Sequence, residues 1–205
     1  MDIGIIGAGK VGRALAKAGI RAGHAVVITS TTAEDAGHVA TEIGARAVTS
    51  NADAVADADV VILAVPFDAV EGIAAELGSA LDDKILIDVT NRFSPEQLDG
   101  ASNAELIQGM APGARVVKAF NTVFAAHQAD PVIEDIQLDG FVAGDDAAAK
   151  RRVLELVASL GFRPIDAGPL AMARALEGMA LLNISLNMTN NWPWQTGWKL
   201  LGPTD

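Results

Sequence analysis

Hydrophobic and polar positions change period repeatedly along this chain. Asp2 to Ile6 is an unbroken apolar run that stops at Gly7, the pattern of a strand covered on both faces. From Lys10 to Ala22 the apolar positions Val11, Leu15, Ala18 and Ala22 recur at helical spacing, and Ala22-Gly23-His24 ends that helix. Ala25 to Thr29 reads as a second strand. Thr31 or Thr32 is placed to cap a second helix whose first turn carries Glu34 and Asp35. A weak strand follows at Ala45 to Val48, then a short alanine-rich helix at Ala52 to Ala56. Asp59 to Val65 is the clearest buried strand, punctuated by Pro66. A helix is predicted over Asp68 to Leu77 and a strand over Lys84 to Val89, whereas Thr90 to Gly100 has no period and reads as loop.

The second half continues the alternation. Ser102-Asn103-Ala104-Glu105 is a capping box opening a helix to Met110, and Val116 to Phe120 is a strand ending at Asn121. One or two helical turns are expected over Val123 to Gln128. Ile136 to Ala143 alternates apolar and polar residues, which predicts an exposed or edge strand. Asp145 to Leu160 is an amphipathic helix, Phe162 to Asp166 a strand, and Gly168-Pro169 starts a largely apolar helix to about Met188. Strand and helix thus alternate for about 165 residues, the signature of an α/β, Rossmann-like, doubly wound and mainly parallel sheet with a C-terminal helical extension. The predicted organisation is a dinucleotide-binding domain over residues 1–166. Residues 167–205 supply a helix and a tryptophan-rich tail that completes the substrate site or a dimer contact.

The loop Gly7-Ala8-Gly9-Lys10-Val11-Gly12 follows a strand and opens a helix, the context in which three glycines so spaced bind a dinucleotide. Gly7 allows the tight turn, Gly9 lets backbone approach a pyrophosphate, and Gly12 lets helix and strand pack closely. The helix N-terminus offers free amides and a positive dipole end to the anion. An acid about 20 residues past the fingerprint would bind the adenosine ribose hydroxyl and favour NAD. Thr29-Ser30-Thr31-Thr32 stand there instead, so NADP is favoured; Glu34 opposes a phosphate and Lys10 could offset it.

Composition narrows the chemistry. The 205 residues are half hydrophobic and carry a net charge of −11, which argues against disorder and against a nucleic-acid or anionic-membrane partner. Cysteine is absent, excluding disulfides, thiolate nucleophiles and cysteine metal sites, and no metal site is expected. Tyrosine is absent too. No apolar stretch approaches the roughly 18 residues of a membrane span, so a cytoplasmic protein is expected. The apolar last helix and Trp192, Trp194 and Trp198 suggest a homodimer contact, or else a flat lid over a planar acceptor.

Gly4-Ile5-Ile6-Gly7-Ala8-Gly9, Ala64-Val65-Pro66-Phe67, Asp88-Val89-Thr90-Asn91, Val116 to Thr122 and Arg163 to Leu170 occur in an order that resembles one family. These segments are similar to the NADPH-dependent reductases of the deazaflavin coenzyme F420, and to the cytosolic reductase domain of six-transmembrane ferric reductases. The resemblance implies direct hydride transfer between NADP(H) and a deazaflavin (coenzyme F420) or flavin as second substrate, chemistry governed by stacking and exclusion of water. It implies that Ser30 and Thr31 face the 2′-phosphate, and that Val65, Pro66 and Phe67 cover adenosine and ribose. Asn121, Thr122, Val123 and Ala125 would line the nicotinamide, and Met172, Leu176 and Met179 the second ring. Two positions depart from the family: Thr31 stands where many relatives carry Arg, and Asn121 where the archaeal enzymes carry His.

Acid–base candidates are few. His24 reads as structural and His38 as solvated; His127 lies near the nicotinamide end and, with Asn121, is a catalytic candidate. Lys118 is either a proton donor or a charge reaching out of the sheet edge. Asp88 is expected to position a loop, and Asn91 to reach a ribose or carboxamide. Met172 and Met179, seven residues apart, also suit packing. Two other functions fit a dinucleotide site. One is reduction of a small carbonyl or imine, although Pro169 to Trp198 contains no Lys or His for the lysine that β-hydroxyacid dehydrogenases use. The other is a dinucleotide sensor without turnover.

Overall fold

A computed structural model describes residues 1–91, 93 and 100–202. The sheet is built from β1 (Asp2–Ile6), β2 (Ala25–Thr29), β3 (Arg46–Val48), β4 (Val60–Leu63), β5 (Ile85–Asp88), β6 (Arg115–Lys118), β9 (Asp139–Gly144) and β10 (Arg163–Gly168). Its order is β10-β9-β6-β5-β4-β1-β2-β3. The stretch 3-2-1-4-5-6 is parallel throughout and is the Rossmann order. The strands read as continuous apolar runs because both faces are covered. Val60 and Ile62 join one core with Leu15, Val39 and Val153, whereas Val61 and Leu63 join a second with Val55, Leu77 and Ile107. Neighbouring residues point to opposite faces, so neither face can be polar.

The helices lie on both faces of the sheet. α1 (Lys10–Arg21), α2 (Ala33–Ile43) and α7 (Ala147–Ser159) cover the first face. α3 (Asn51–Val55), α4 (Val70–Leu77), α5 (Asn103–Met110) and the start of α8 (Ala173–Asn190) cover the second. Thr32 caps α2 by accepting from the Asp35 N–H. Ser102 and Glu105 form the predicted capping box, and Arg174 on α8 grips the Glu105 carboxylate at 2.9 and 3.0 Å. Arg174, with the Ser102 donors, holds the Glu105 carboxyl at about 2, below its ordinary 4.5. A carboxyl depressed in this way stabilises the fold above pH 4.5, and that contribution is lost as pH falls toward 2. Glu105→Gln is therefore expected to cost about 1 kcal/mol at neutral pH. Urea unfolding of variant and wild type should converge near pH 2; a gap unchanged by acid would show that charge plays no part.

Ile136 to Ala143 departs from the expected edge strand. Its alternating start belongs to a small hairpin of β7 (Val132–Ile133) and β8 (Ile136–Gln137), turned by Glu134 and Asp135 at φ 49° and 64°. The remainder is β9, which lies inside the sheet, parallel to β10 and antiparallel to β6. It can be interior because Asp139, wholly buried, is neutralised by Arg163 at 2.6 Å and Lys199 at 3.1 Å. Burial pushes the Asp139 carboxyl up, but Arg163, the Leu200 N–H and Lys199 hold it below its ordinary value. β10 is the actual edge. Of the predicted 90–100 loop, residues 92 and 94–99 lie outside the described residues. Among the described residues no helix is long and apolar enough to cross a membrane.

Candidate functional site

Because six strands run parallel, the ends of β1, β2, β4, β5 and β6 open onto one edge of the sheet, the side on which such sheets bind ligands. At its centre is the glycine loop. Gly7 has φ +106°, and a Cβ there would meet the Ala64 carbonyl at 2.5 Å; a Cβ on Gly12 would lie 2.0 Å from the Gly7 carbonyl. Gly9 caps α1 without a side chain, and a Cβ on it would meet nothing within 4 Å. Two glycines therefore hold loop and helix together, and the third leaves the amides of the helix start open to an anion. The Gly7 N–H donates to Thr29 Oγ1 at 2.9 Å, so Thr29 positions the loop. Lys10 opens onto a groove with Arg13, Phe124, Ala125 and Trp194.

On the β2 side, Gly7, Ala8, Ser30, Thr31, Asn51 and Val65 line a hollow of about 320 Å³. On the β5 side, Pro66, Phe67, Asn91, Phe93, Asn103 and Leu106 line another of about 390 Å³. Val65 lines the first hollow, and Pro66 and Phe67, the next residues along, line the second. From the end of β2 to the end of β6 is four strand spacings, roughly 19 Å, a span suited to an extended dinucleotide.

At the β6 end the backbone turns sharply. Phe120 has φ 63°, unfavourable for a bulky side chain, and Gln128 braces the turn by donating to the Phe120 and Val123 carbonyls at 2.7 and 2.9 Å. The turn presents Asn121 to Asn91. Asn121 Nδ2 donates to Asn91 Oδ1 at 2.9 Å and to the Leu176 carbonyl at 3.0 Å, while Asn91 Nδ2 donates to the Asn121 carbonyl at 2.8 Å. Both partners of Asn121 Nδ2 are acceptors, which fixes the amide's orientation. Asn121 Oδ1 is left buried with no partner among the described residues. An acceptor so stranded costs free energy unless a ligand donates to it.

Other predicted residues are placed differently. Thr122 and Val123 are buried, and Val123 packs into the first core. His127 sits on the short α6 (Ala125–Gln128), half-buried, its Nε2 without a partner among the described residues. Leu176 is buried, so of the trio on the last helix only Met172 and Met179 present surface. Lys118 is not a charge at the sheet edge. It is wholly buried and donates to Asp88 Oδ2 at 2.7 Å, the Thr90 carbonyl at 2.6 Å and Glu177 Oε1 at 2.9 Å. All three ammonium protons are spent, which removes it as a free proton donor and makes it the tie between β5, β6 and α8. Asp88 also accepts the Thr90 N–H at 2.8 Å, steering the chain toward Asn91. His24 joins Met1 to Ser159, and burial followed by the charges of the N-terminus and Arg152 pushes it below its ordinary value.

The family model for NADP oxidoreductase, coenzyme F420-dependent, matches residues 2–92. The F420-dependent NADP reductase of Methanothermobacter thermautotrophicus is 35% identical over 213 residues, covering 93% of this chain and 90% of that protein. The chain belongs to the F420-dependent NADP reductase family. A provisionally assigned member from Arthrobacter sp. FB24 has the same fold, with a TM-score of 0.87 and 29% identity over 98% of this chain and all of that one. Metalloreductase STEAP3 of Rattus norvegicus is 34% identical over 87% of this chain, which spans only 36% of that protein's length. The glycine loop and the Asn91–Asn121 pair lie at the same edge of the parallel strands, and among the described residues no group of acids and histidines could hold a metal.

The composition of the tail suits a subunit contact or a lid. It folds back on its own chain: the Trp194 ring meets Phe124 edge-on at 5.5 Å, and the Trp194 backbone N–H donates to Asn187 Oδ1 at 3.1 Å. Further along, the Leu200 N–H reaches Asp139 at 2.6 Å.

Proposed function

We propose that the chain is an NADP(H)-dependent oxidoreductase that transfers hydride between the nicotinamide and a deazaflavin or flavin acceptor. The observation that carries this reading is the Asn91–Asn121 pair with Asn121 Oδ1 buried and unsatisfied. A primary amide is the donor that such an acceptor lacks, and the carboxamide of a nicotinamide supplies one. The fit extends along the edge: Gly7, Gly9 and Gly12 shape a pyrophosphate cradle, and Ser30 and Thr31 stand at the adenosine end.

The bound nicotinamide supplies the hydride, and the protein's part is placement. Asn121 would fix the rotation of the ring, Asn91 and the Leu176 carbonyl hold Asn121, and Gln128 holds the turn that carries it. Pro66, Phe67 and Leu106 give the hollow beside Asn91 an apolar wall, which would keep water from a ring stacked there. With Lys118 fully engaged, no protein acid is needed for a hydride acceptor of this kind.

The test is NADPH oxidation followed by nicotinamide absorbance, with coenzyme F420, FMN and a cyclic imine in parallel. Turnover is expected with the deazaflavin or FMN, and Asn121→Leu should lower it by at least about tenfold, the worth of one good polar contact. Turnover with the imine alone would overturn the acceptor class. NADPH binding with no turnover on any acceptor would point to a sensor.

A further inference from the structure

The acid missing at the end of β2 is delivered by the next helix. Asp35, in the first turn of α2, accepts the Ser30 hydroxyl on Oδ2 and binds Arg13 Nη2 through Oδ1 at 3.0 Å. Both donors of Ser30 are thereby committed, the hydroxyl to Asp35 and the N–H to the Val48 carbonyl at 2.9 Å. Thr29 and Thr32 hydroxyls accept the Gly7 and Asp35 N–H groups, and Thr31 and Thr32 are the exposed hydroxyls of the four. Arg13 is committed as well: it also donates to Glu42 at 2.6 Å and to the Ala8 carbonyl at 2.7 Å.

On the reading under Proposed function, Ser30 and Thr31 face the adenosine ribose, so these commitments decide what that ribose can carry. We infer that Asp35 sets the discrimination between a 2′-phosphate and a free 2′-hydroxyl, and sets it low. A carboxylate held against Ser30 accepts a ribose hydroxyl, as the acid of an NAD site does. It repels a phosphate of charge about −1.5 to −2, which would also find Ser30 already donating elsewhere. Exclusion is incomplete because Arg13 neutralises one side of Asp35 and the N-terminus of α2 adds a positive dipole end. The chain thus takes both nicotinamide dinucleotides, and Asp35 is its specificity-determining residue.

The experiment titrates wild type, Asp35→Asn and Asp35→Ser with NADP⁺ and NAD⁺. Adenosine 2′,5′-bisphosphate and 5′-AMP serve as fragments that do not depend on the nicotinamide end. Wild type should bind NADP⁺ and NAD⁺ within about tenfold of each other. Both variants should strengthen NADP⁺ and the bisphosphate by about tenfold, or 1.4 kcal/mol, while NAD⁺ and AMP hold or weaken. Glu155→Gln on α7, a change of equal charge remote from this edge, should leave the ratio unmoved. If the variants weaken NADP⁺, Asp35 serves only to orient Ser30 and Arg13, and the inference fails. An unchanged ratio, with both dinucleotides bound, also removes the role of Asp35 but leaves the site standing. Failure of all four ligands to bind the wild type would overturn the dinucleotide site itself.

Discussion

One added methyl group at residue 12 should abolish dinucleotide binding. The Cβ of Gly12→Ala would sit 2.0 Å from the Gly7 carbonyl oxygen and 3.2 Å from Ala64 Cβ, and the first of these is backbone that cannot rotate aside. Either α1 moves outward or the loop unwinds, and both disperse the free amides at the start of α1 that, on the proposed function, would hold the pyrophosphate. A loss of at least about a hundredfold in affinity is expected, with a stability cost of about 1–3 kcal/mol for overpacking. Gly9→Ala is the companion that separates the two effects. Its Cβ meets nothing in the protein, so the thermal midpoint should barely move, while the methyl stands where ligand backbone contact is needed. Calorimetric titration and thermal unfolding of both variants check this. Wild-type affinity in Gly9→Ala would show that nothing binds against that loop.

The second large effect is on stability. Lys118→Met leaves Asp88 and Glu177, both buried, without the ammonium that faces them at 2.7 and 2.9 Å. Breaking a buried ion cluster from one side costs about 3–5 kcal/mol, against a total stability of about 5–15 kcal/mol for a domain. Urea unfolding should show that loss. Lys118→Met combined with Glu177→Gln should recover part of it, because one of the stranded charges is then gone. A single variant within about 1 kcal/mol of wild type would mean the cluster is not what docks α8 on the sheet.

The elements that were legible are those in which local pattern and burial agree. β1, β4 and β5 are covered on both faces, so their apolar runs carry the whole signal, and the glycine loop between β1 and α1 has its own spacing. The capping box at Ser102 was legible because it closes within four residues. β9 does not show as an interior strand in the sequence because the alternation before it comes from Ile136 and Gln137, which belong to a hairpin. Its burial depends on Arg163 and Lys199, which are 24 and 60 residues from Asp139. Lys118 reads as a surface charge in any local window, and Glu177, 59 residues away, buries it. The clue available was that Arg174 and Glu177 are the only charges on α8.

The sequence by itself determined the alternation of strands and helices, the glycine loop and the family, since each is written in residues close together along the chain. Tertiary structure alone decided that Asp35 meets Ser30, that Asn121 meets Asn91 across 30 residues with an acceptor to spare, and that Lys118 is spent inside a buried cluster. The physical reason is the same in each case. A side chain's hydrogen-bonding and charge state is set by the partner that folding brings to it, and chain spacing does not encode the partner.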